Sequence, residues 1–164
     1  VQGIINWSIE PAQSICIKNA RQVCANVPVF QSHGFGNIQY VKSAGVAADG
    51  VIFPAGRLLV AETLSDKNPQ KAVLVDYKNK YEAKFKEDVS TFGGHAYDGL
   101  MLVVEAMKRA GGTDKAKVRD AIESTRGYVG TGGVVNMSAS DHMGLDLTAF
   151  RVLEVRNANW VLVK

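Results

Sequence analysis

Three short apolar runs sit within the first 57 residues: GIINW (3–7), PVF (28–30) and GVIFP (50–54). The chain between them has room for one helix per gap. After GIINW comes Pro11, a residue favoured at the first helical position. Ala12, Ile15, Cys16, Ala20 and Val23 then recur at three-and-four spacing, while Lys18, Asn19, Arg21 and Gln22 point elsewhere, which predicts a helix with its apolar stripe turned inward. VKSAGVAADG (41–50) predicts a second, shorter helix and a turn. Strand, helix, strand, helix, strand with brief connections is the pattern of a parallel α/β sheet with right-handed crossovers.

The pattern changes after Pro54. AGRLLVAETLSDKN (55–68) has no clean period and leads to a helix predicted to open on Asn68 as its N-cap, with Pro69 inside. Tyr77, Tyr81 and Phe85 follow at four-residue steps, an aromatic stripe expected to pack on a neighbouring element. A second helix is expected from about His95 to Arg109, and a third, TDKAKVRDAIES, capped by Thr113. Strand character returns in GVVN, TAFRVLEVR and NWVLVK, the last two joined by a tight turn at Asn157-Ala158-Asn159. Returning strands need a sheet to join, and the first three are the obvious one. The chain is expected to leave one α/β body, build a helical middle, and come back.

At 164 residues the chain can form one ordinary domain, burying roughly 70% of its unfolded surface. Its charged share is 21% and its net charge +3. The lysines at 67, 71, 78, 80, 84 and 86 are interleaved with Asp66, Asp76, Glu82, Glu87 and Asp88, a solvated helix face and no footprint for nucleic acid. No run of about 18 apolar residues exists to span a bilayer. VQGIINW has neither the charged start nor the cleavage site of a signal peptide, and reads as a strand that begins abruptly, as in a fragment or a matured product. Cys16 and Cys24 lie on one predicted helix, roughly 12 Å apart at 1.5 Å per residue. A disulfide needs Cα atoms within about 7 Å, so two free, mostly buried thiols are expected.

Most reaction chemistries find no residues here. His33, His95 and His142 have no histidine or cysteine at ligand spacing, so no metal site is expected. NMSASDHMGLD (136–146) lacks the early acids and closing glutamate of a calcium loop and reads as a polar turn. GYVGTGG (127–133) has no lysine-serine or lysine-threonine pair after it, and HGFGN (33–37) lacks the third glycine of a dinucleotide fingerprint. Ser32 beside His33 is no nucleophile elbow, since GxSxG is absent, and Cys16 lies mid-helix. Neither a cofactor nor an enzymatic activity is expected. In open α/β sheets, ligands settle at the carboxyl ends of the strands. Those ends are Asn6-Trp7-Ser8 and Gln31-Ser32-His33-Gly34, polar groups with an indole wall, suited to a small organic solute. A structural role, Trp7 covering the sheet end and His33 fixing its own loop, is the alternative for both.

Six segments together resemble one family. PAQSICIKNARQV, VPVFQSHGFGN, SAGVAADGVIFPAGRLL and STFGGHAYDGLMLVVEAMKRAG, followed by YVGTGGVVNMSASDHMGLD with FRVLEVRNANWVLV, are similar in order and spacing to solute-binding receptors of the branched-chain amino-acid type, which serve ABC importers. The resemblance implies a periplasmic-binding-protein-like α/β fold: a parallel sheet flanked by helices with a C-terminal β-hairpin, forming part of a two-lobe receptor with its ligand in the cleft between lobes. It implies that residues 1–57 belong to the second lobe, 58–125 to the first, and 126–164 return to the second. It also implies that an N-terminal part of the receptor is missing from this chain, so that the isolated piece pairs with that part or with itself.

Carried over by position, Trp7 and Ser8 match the loop where relatives place an aromatic ligand contact, and Tyr97 in GHAYDGL matches a tyrosine facing the cleft. Ser32 and His33 fall in the second loop, His33 where amino-acid-binding relatives keep an acid that pairs with the ligand ammonium. A protonated imidazole repels an ammonium and attracts a carboxylate. The departure therefore points to a carboxylate-bearing ligand, aromatic acids included, with a branched-chain amino acid as the family's own alternative. The implied partners are that small molecule and a membrane permease, and the implied location is periplasmic or otherwise extracytoplasmic. The rival role is a ligand-sensing module of the same fold without transport.

Overall fold

The three apolar runs form neighbouring parallel strands, β1 (Ile4–Asn6), β2 (Val29–Gln31) and β3 (Ile52–Gly56), in a computed structural model that describes residues 1–24 and 26–163. Helix α1 (Gln13–Val23) joins the first pair and α2 (Ile38–Ala44) the second. Both helices cover one face of the sheet, where Ile17, Phe35 and Val41 meet Val29, Phe53, Leu153 and Val155 in the main core. Phe35, Phe53 and Trp160 interlock there with ring centroids 5.0, 5.3 and 6.0 Å apart. The two returning strands complete the sheet antiparallel, in the order β1-β2-β3-β6-β7, with β6 at Phe150–Arg156 and β7 at Asn159–Leu162. The sheet is thus mixed, parallel in its first half. The turn between β6 and β7 has positive φ at Asn157 and Ala158, the backbone of a two-residue hairpin.

Helix α1 forms where its period predicts but with another face inward. Gln13, Ser14 and Ile17 are buried, whereas Ile15 and Val23 are 60% and 82% exposed. Polar tethers set this rotation. Ser14 Oγ donates to Tyr40 O at 2.8 Å, Gln13 Nε2 to Gly34 O at 3.4 Å, and Arg21 Nη1 to Val27 O at 2.9 Å. Each would be lost if the Ile15 stripe turned in. Cys16 is consequently exposed and Cys24 half-buried, correcting the expectation of mostly buried thiols; both are free.

The middle of the chain folds as α3 (Lys71–Phe85), α4 (Thr91–Ala110) and α5 (Lys115–Glu123). Each start differs from its predicted cap. Asn68 Oδ1 accepts from Gln70 N in the turn ahead of α3, which begins at Lys71. Asp114, and not Thr113, caps α5 by accepting from Lys117 N. Helix α4 starts a full turn before His95, capped by Ser90, because the glycines that weaken a helical reading are needed for close packing. A Cβ at Gly94 would stand 2.8 Å from both Leu58 Cδ2 and Thr131 Oγ1.

GVVN does not join the main sheet. Its valines form β5 (Val134–Val135), paired with β4 (Tyr128–Val129) in a separate antiparallel ribbon. Stretch 126–137 folds back on itself just beyond α5: Met137 N donates to Thr125 O at 2.9 Å, and Gly127 N to Asn136 Oδ1 at 2.8 Å. The loop at the tip of the ribbon is clasped by a buried carboxylate on α4. Asp98 accepts from Thr131 N at 2.8 Å and from Gly132 N at 2.7 Å. On its other side Gly130 O accepts from Gln70 Nε2 at 3.0 Å, and Gln70 Oε1 accepts from Arg57 Nη1 at 2.8 Å. Arg57 directly follows β3, so one buried polar chain joins sheet, α3, ribbon and α4. The loop after β2 and helix α2 also meet the helical segment, where Thr91 N donates to Gly36 O at 3.0 Å and where Lys42 pairs with Asp88, in the link between α3 and α4, at 2.8 Å.

Replacing Asp98 with asparagine removes the charge and sets a donor against two backbone donors, so Asp98→Asn is expected to cost about 2 kcal/mol or more in urea unfolding. An unchanged midpoint would contradict the clasp. Tyr128 gives a test at high pH. Burial and then the Asp98 charge push its phenol up to about 12. The folded form therefore holds its proton where the unfolded chain has lost it, so stability falls as pH rises from about 10 toward 12. Tyr128→Phe is expected to flatten that fall, read from unfolding midpoints across the range.

Candidate functional site

The parallel strands end on the same side of the sheet, and the loops that leave them are stitched together. Ser32 Oγ donates to Ser8 O at 2.6 Å and accepts from Gly34 N at 3.3 Å, binding the β1 exit to the β2 exit. Ser32 is 1% exposed, so this hydroxyl is engaged within the protein. Ser8 Oγ accepts from Glu10 N at 3.0 Å and shapes the turn into α1. Asn6 Nδ2 donates to Gln31 Oε1 at 3.1 Å, and Gln13 reaches up to Gly34 from below. A Cβ at Gly34 would lie 2.6 Å from Ile9 Cγ2, so close contact of the two loops requires a glycine there.

On this platform stand the two side chains that face outward. Trp7, in the loop that leaves β1, is 79% exposed. His33 is exposed at the start of a 3-10 turn, and its ring meets Phe150 edge-on at 6.2 Å between centroids. Phe150 opens β6 opposite Gly56, at the same end of the sheet. Beside it lies an open hollow of about 520 Å³ lined by Met143, Leu145, Asp146, Leu147 and Phe150. The Asp146 carboxyl is held below its usual range by hydrogen bonds from Thr148, and then by the Arg57 charge. Under the platform, Gln31 Nε2 and Gln13 Oε1 are buried without a partner. Buried polar groups are normally satisfied, so an orphaned amide here marks a place where another polar group would be welcome.

The structure thus gathers Trp7, Ser8, Ser32 and His33 at one sheet end. Tyr97 stands on α4, 41% exposed, with its ring 5.0 Å from that of Tyr77. It edges a hollow of about 270 Å³ shared with Tyr81, Phe85, Lys80 and Lys84. The aromatic stripe of α3 therefore packs in part against α4, as its spacing predicts, though Phe85 remains 52% exposed. Phe150, Gly36 and Asp98 were not singled out from sequence. An aspartate inside the apolar run GHAYDGLMLVV was the available sign for Asp98, while Phe150 looks like any first residue of a strand. His95 lies against Gly132 and His142 bonds Glu123 at 3.1 Å, so the three histidines serve three separate places. Among the described residues no three histidine, cysteine or acidic side chains converge to hold a metal ion, and no helix is long and apolar enough to cross a membrane. The arrangement offers surfaces for stacking and hydrogen bonding.

Known proteins share both the sequence pattern and the fold. A family model described as periplasmic binding protein matches residues 2–159. A leucine-, isoleucine-, valine-, threonine- and alanine-binding protein of Pseudomonas aeruginosa is 21% identical over 150 residues, covering 92% of this chain and 38% of that protein. An extracellular ligand-binding receptor from Rhodopseudomonas palustris HaA2 superimposes with a TM-score of 0.90 at 24% identity, over 99% of this chain and 47% of its own. A second receptor from Rhodopseudomonas palustris gives 0.85 at 27% identity, over 94% and 45%. The chain spans less than half the length of these relatives. With the α/β order, the returning hairpin and a family match over residues 2–159, the chain belongs to the periplasmic binding protein family.

Proposed function

We propose that this chain is part of the extracytoplasmic solute-binding component of an ABC importer, and that its sheet end is one wall of the ligand cleft. The observation that carries this reading is the pairing of exposed Trp7 and His33 on a stitched platform at the carboxyl ends of β1 and β2, in a chain of this family. Trp7 supplies a stacking surface, His33 the polar contact, and Phe150 an apolar flank that limits how the imidazole turns. Ser32 and Ser8 position the two loops, and Tyr97 contributes from the helical body. No bond is made or broken. Binding shifts an equilibrium between open and closed arrangements of two lobes, and the closed form is presented to a membrane permease.

The lobe boundaries of this reading are those the family resemblance implies. Residues 1–57 form the sheet body and 58–125 the helical one. Residues 126–164 carry the return to the second lobe: the ribbon is bonded to α4 through Asp98, and β6 enters the sheet at Phe150. The preferred ligand is a small organic carboxylate with an apolar or aromatic body. An imidazole at position 33 favours a carboxylate and lacks the fixed negative charge that an ammonium requires.

Calorimetry on the full product of the gene, with benzoate and leucine as probes, tests this. Benzoate is expected to bind, and His33→Ala to weaken it about tenfold, a loss of about 1.4 kcal/mol. Tight leucine binding, or benzoate binding untouched by His33→Ala, would show that position 33 does not select the ligand.

A further inference from the structure

Arg57 is a buried cation without a counter-ion. It follows β3 directly and is 7% exposed. Burying a charge is costly unless that charge is paired and hydrogen-bonded. Among the described residues Arg57 forms one hydrogen bond, from Nη1 to the neutral amide oxygen of Gln70 at 2.8 Å, and no ion pair. Its Nε is buried with no acceptor. Two charges act on it from nearby, Arg151 in opposition and Asp146 in support. The Asp146 carboxylate is engaged elsewhere, accepting from Thr148 N at 2.8 Å and from the Thr148 hydroxyl at the start of the 3-10 turn ahead of β6.

The part of this guanidinium left without an acceptor is the part that recognises acids. Nη1 lies on the Cδ side of the group and holds Gln70. The other edge carries the Nε hydrogen and one from Nη2, parallel donors whose spacing matches the two oxygens of a carboxylate. Gln70 is itself fixed, since its Nε2 donates to Gly130 O at 3.0 Å and so turns its oxygen to Arg57. The position in the fold agrees. Trp7 and His33 follow the carboxyl ends of β1 and β2, and Arg57 follows that of β3, the third parallel strand. Gly56, the residue before it, is registered with Phe150, whose ring meets that of His33. Leu58, the residue after it, belongs to the core of the helical body with Leu74 and Val89. Arg57 thus stands where the sheet body passes into the helical one, the place that forms the floor of a cleft between them.

We infer that the Nε–Nη2 edge of Arg57 is an anion subsite on the floor of the proposed cleft and takes the acid group of the solute. This deepens the proposed function and rests on it. His33 meets that acid group from the rim with a charge that varies with pH, whereas a guanidinium stays charged at every working pH. Two parallel N–H groups read shape as well as charge. A carboxylate satisfies both, while the corresponding amide sets a donor against a donor. The apolar body of the solute extends from there toward Trp7, two strands away, about 10 Å at the usual strand spacing.

Calorimetry on the full gene product with benzoate and its amide, benzamide, tests this. Wild type is expected to prefer benzoate at least about thirtyfold. Arg57→Gln is expected to bring that ratio close to one. Arg57→Lys, which keeps the charge and loses the fork, is expected to give an intermediate ratio, and it carries the test if Arg57→Gln does not fold. Gln70→Ala removes the bond that braces Arg57 and keeps the guanidinium, so its ratio is expected to stay near that of wild type. Benzoate binding with an unchanged ratio in the Arg57 variants overturns the inference and leaves the proposed function standing. An equal fall in Gln70→Ala does the same, because it assigns Arg57 a bracing role only. A thermal midpoint that rises with sodium chloride in wild type but not in Arg57→Gln, with the ratio unchanged, would assign the edge to an inorganic anion and also overturns it. Binding of neither probe by wild type removes the proposed function, and this inference with it.

Discussion

One buried polar chain links two differently built bodies. Arg57, at the exit of β3, donates to Gln70 at the start of α3; Gln70 donates to Gly130; and the neighbouring amides of Thr131 and Gly132 close on Asp98. Each group would be costly to bury alone, and their geometry makes them mutually dependent. The glycines around it follow from this. Side chains at 130 or 132 would run into Asp98 and His95. A turn motif that looked tempting for phosphate is thus explained by how close a ribbon must approach a helix.

The candidate site depends on that arrangement at one remove. Thr91, the first residue of α4, bonds the carbonyl of Gly36, and a Cβ at Gly36 would come within 2.4 Å of Thr91 Oγ1. The loop that carries His33 therefore leans on the helix that carries Tyr97. Any relative motion of the two bodies has to pivot at or break this contact. That makes the second glycine of SHGFGN a mechanical residue, while the first serves the join to the β1 loop.

Periodicity made the strand order, the helical middle and the hairpin readable, because each depends on local spacing or on turn chemistry carried by adjacent residues. It gave the existence of α1 and not its rotation. The buried face, Gln13, Ser14 and Ile17, is mostly polar, and its choice over the Ile15 stripe rests on bonds from Ser14 to Tyr40 and from Gln13 to Gly34, over 20 residues away in sequence. The site was legible where strand ends mark it, at Trp7 and His33. It was not legible at Phe150, whose place beside His33 comes from an antiparallel strand returning more than 100 residues later. The start of α4 was hidden because glycine weakens local preference there, while close packing requires it.

In the proposed function, the sheet end bearing Trp7 and His33 is a wall of a cleft that holds a small organic acid. Mass spectrometry of the small molecules released when the full gene product, isolated from its own host, is denatured addresses it most directly. One organic carboxylate is expected in about stoichiometric amount, absent from a preparation in which Trp7 and His33 are both replaced by alanine. Release of no such compound, or of the same compound in the same amount from the double variant, would contradict it.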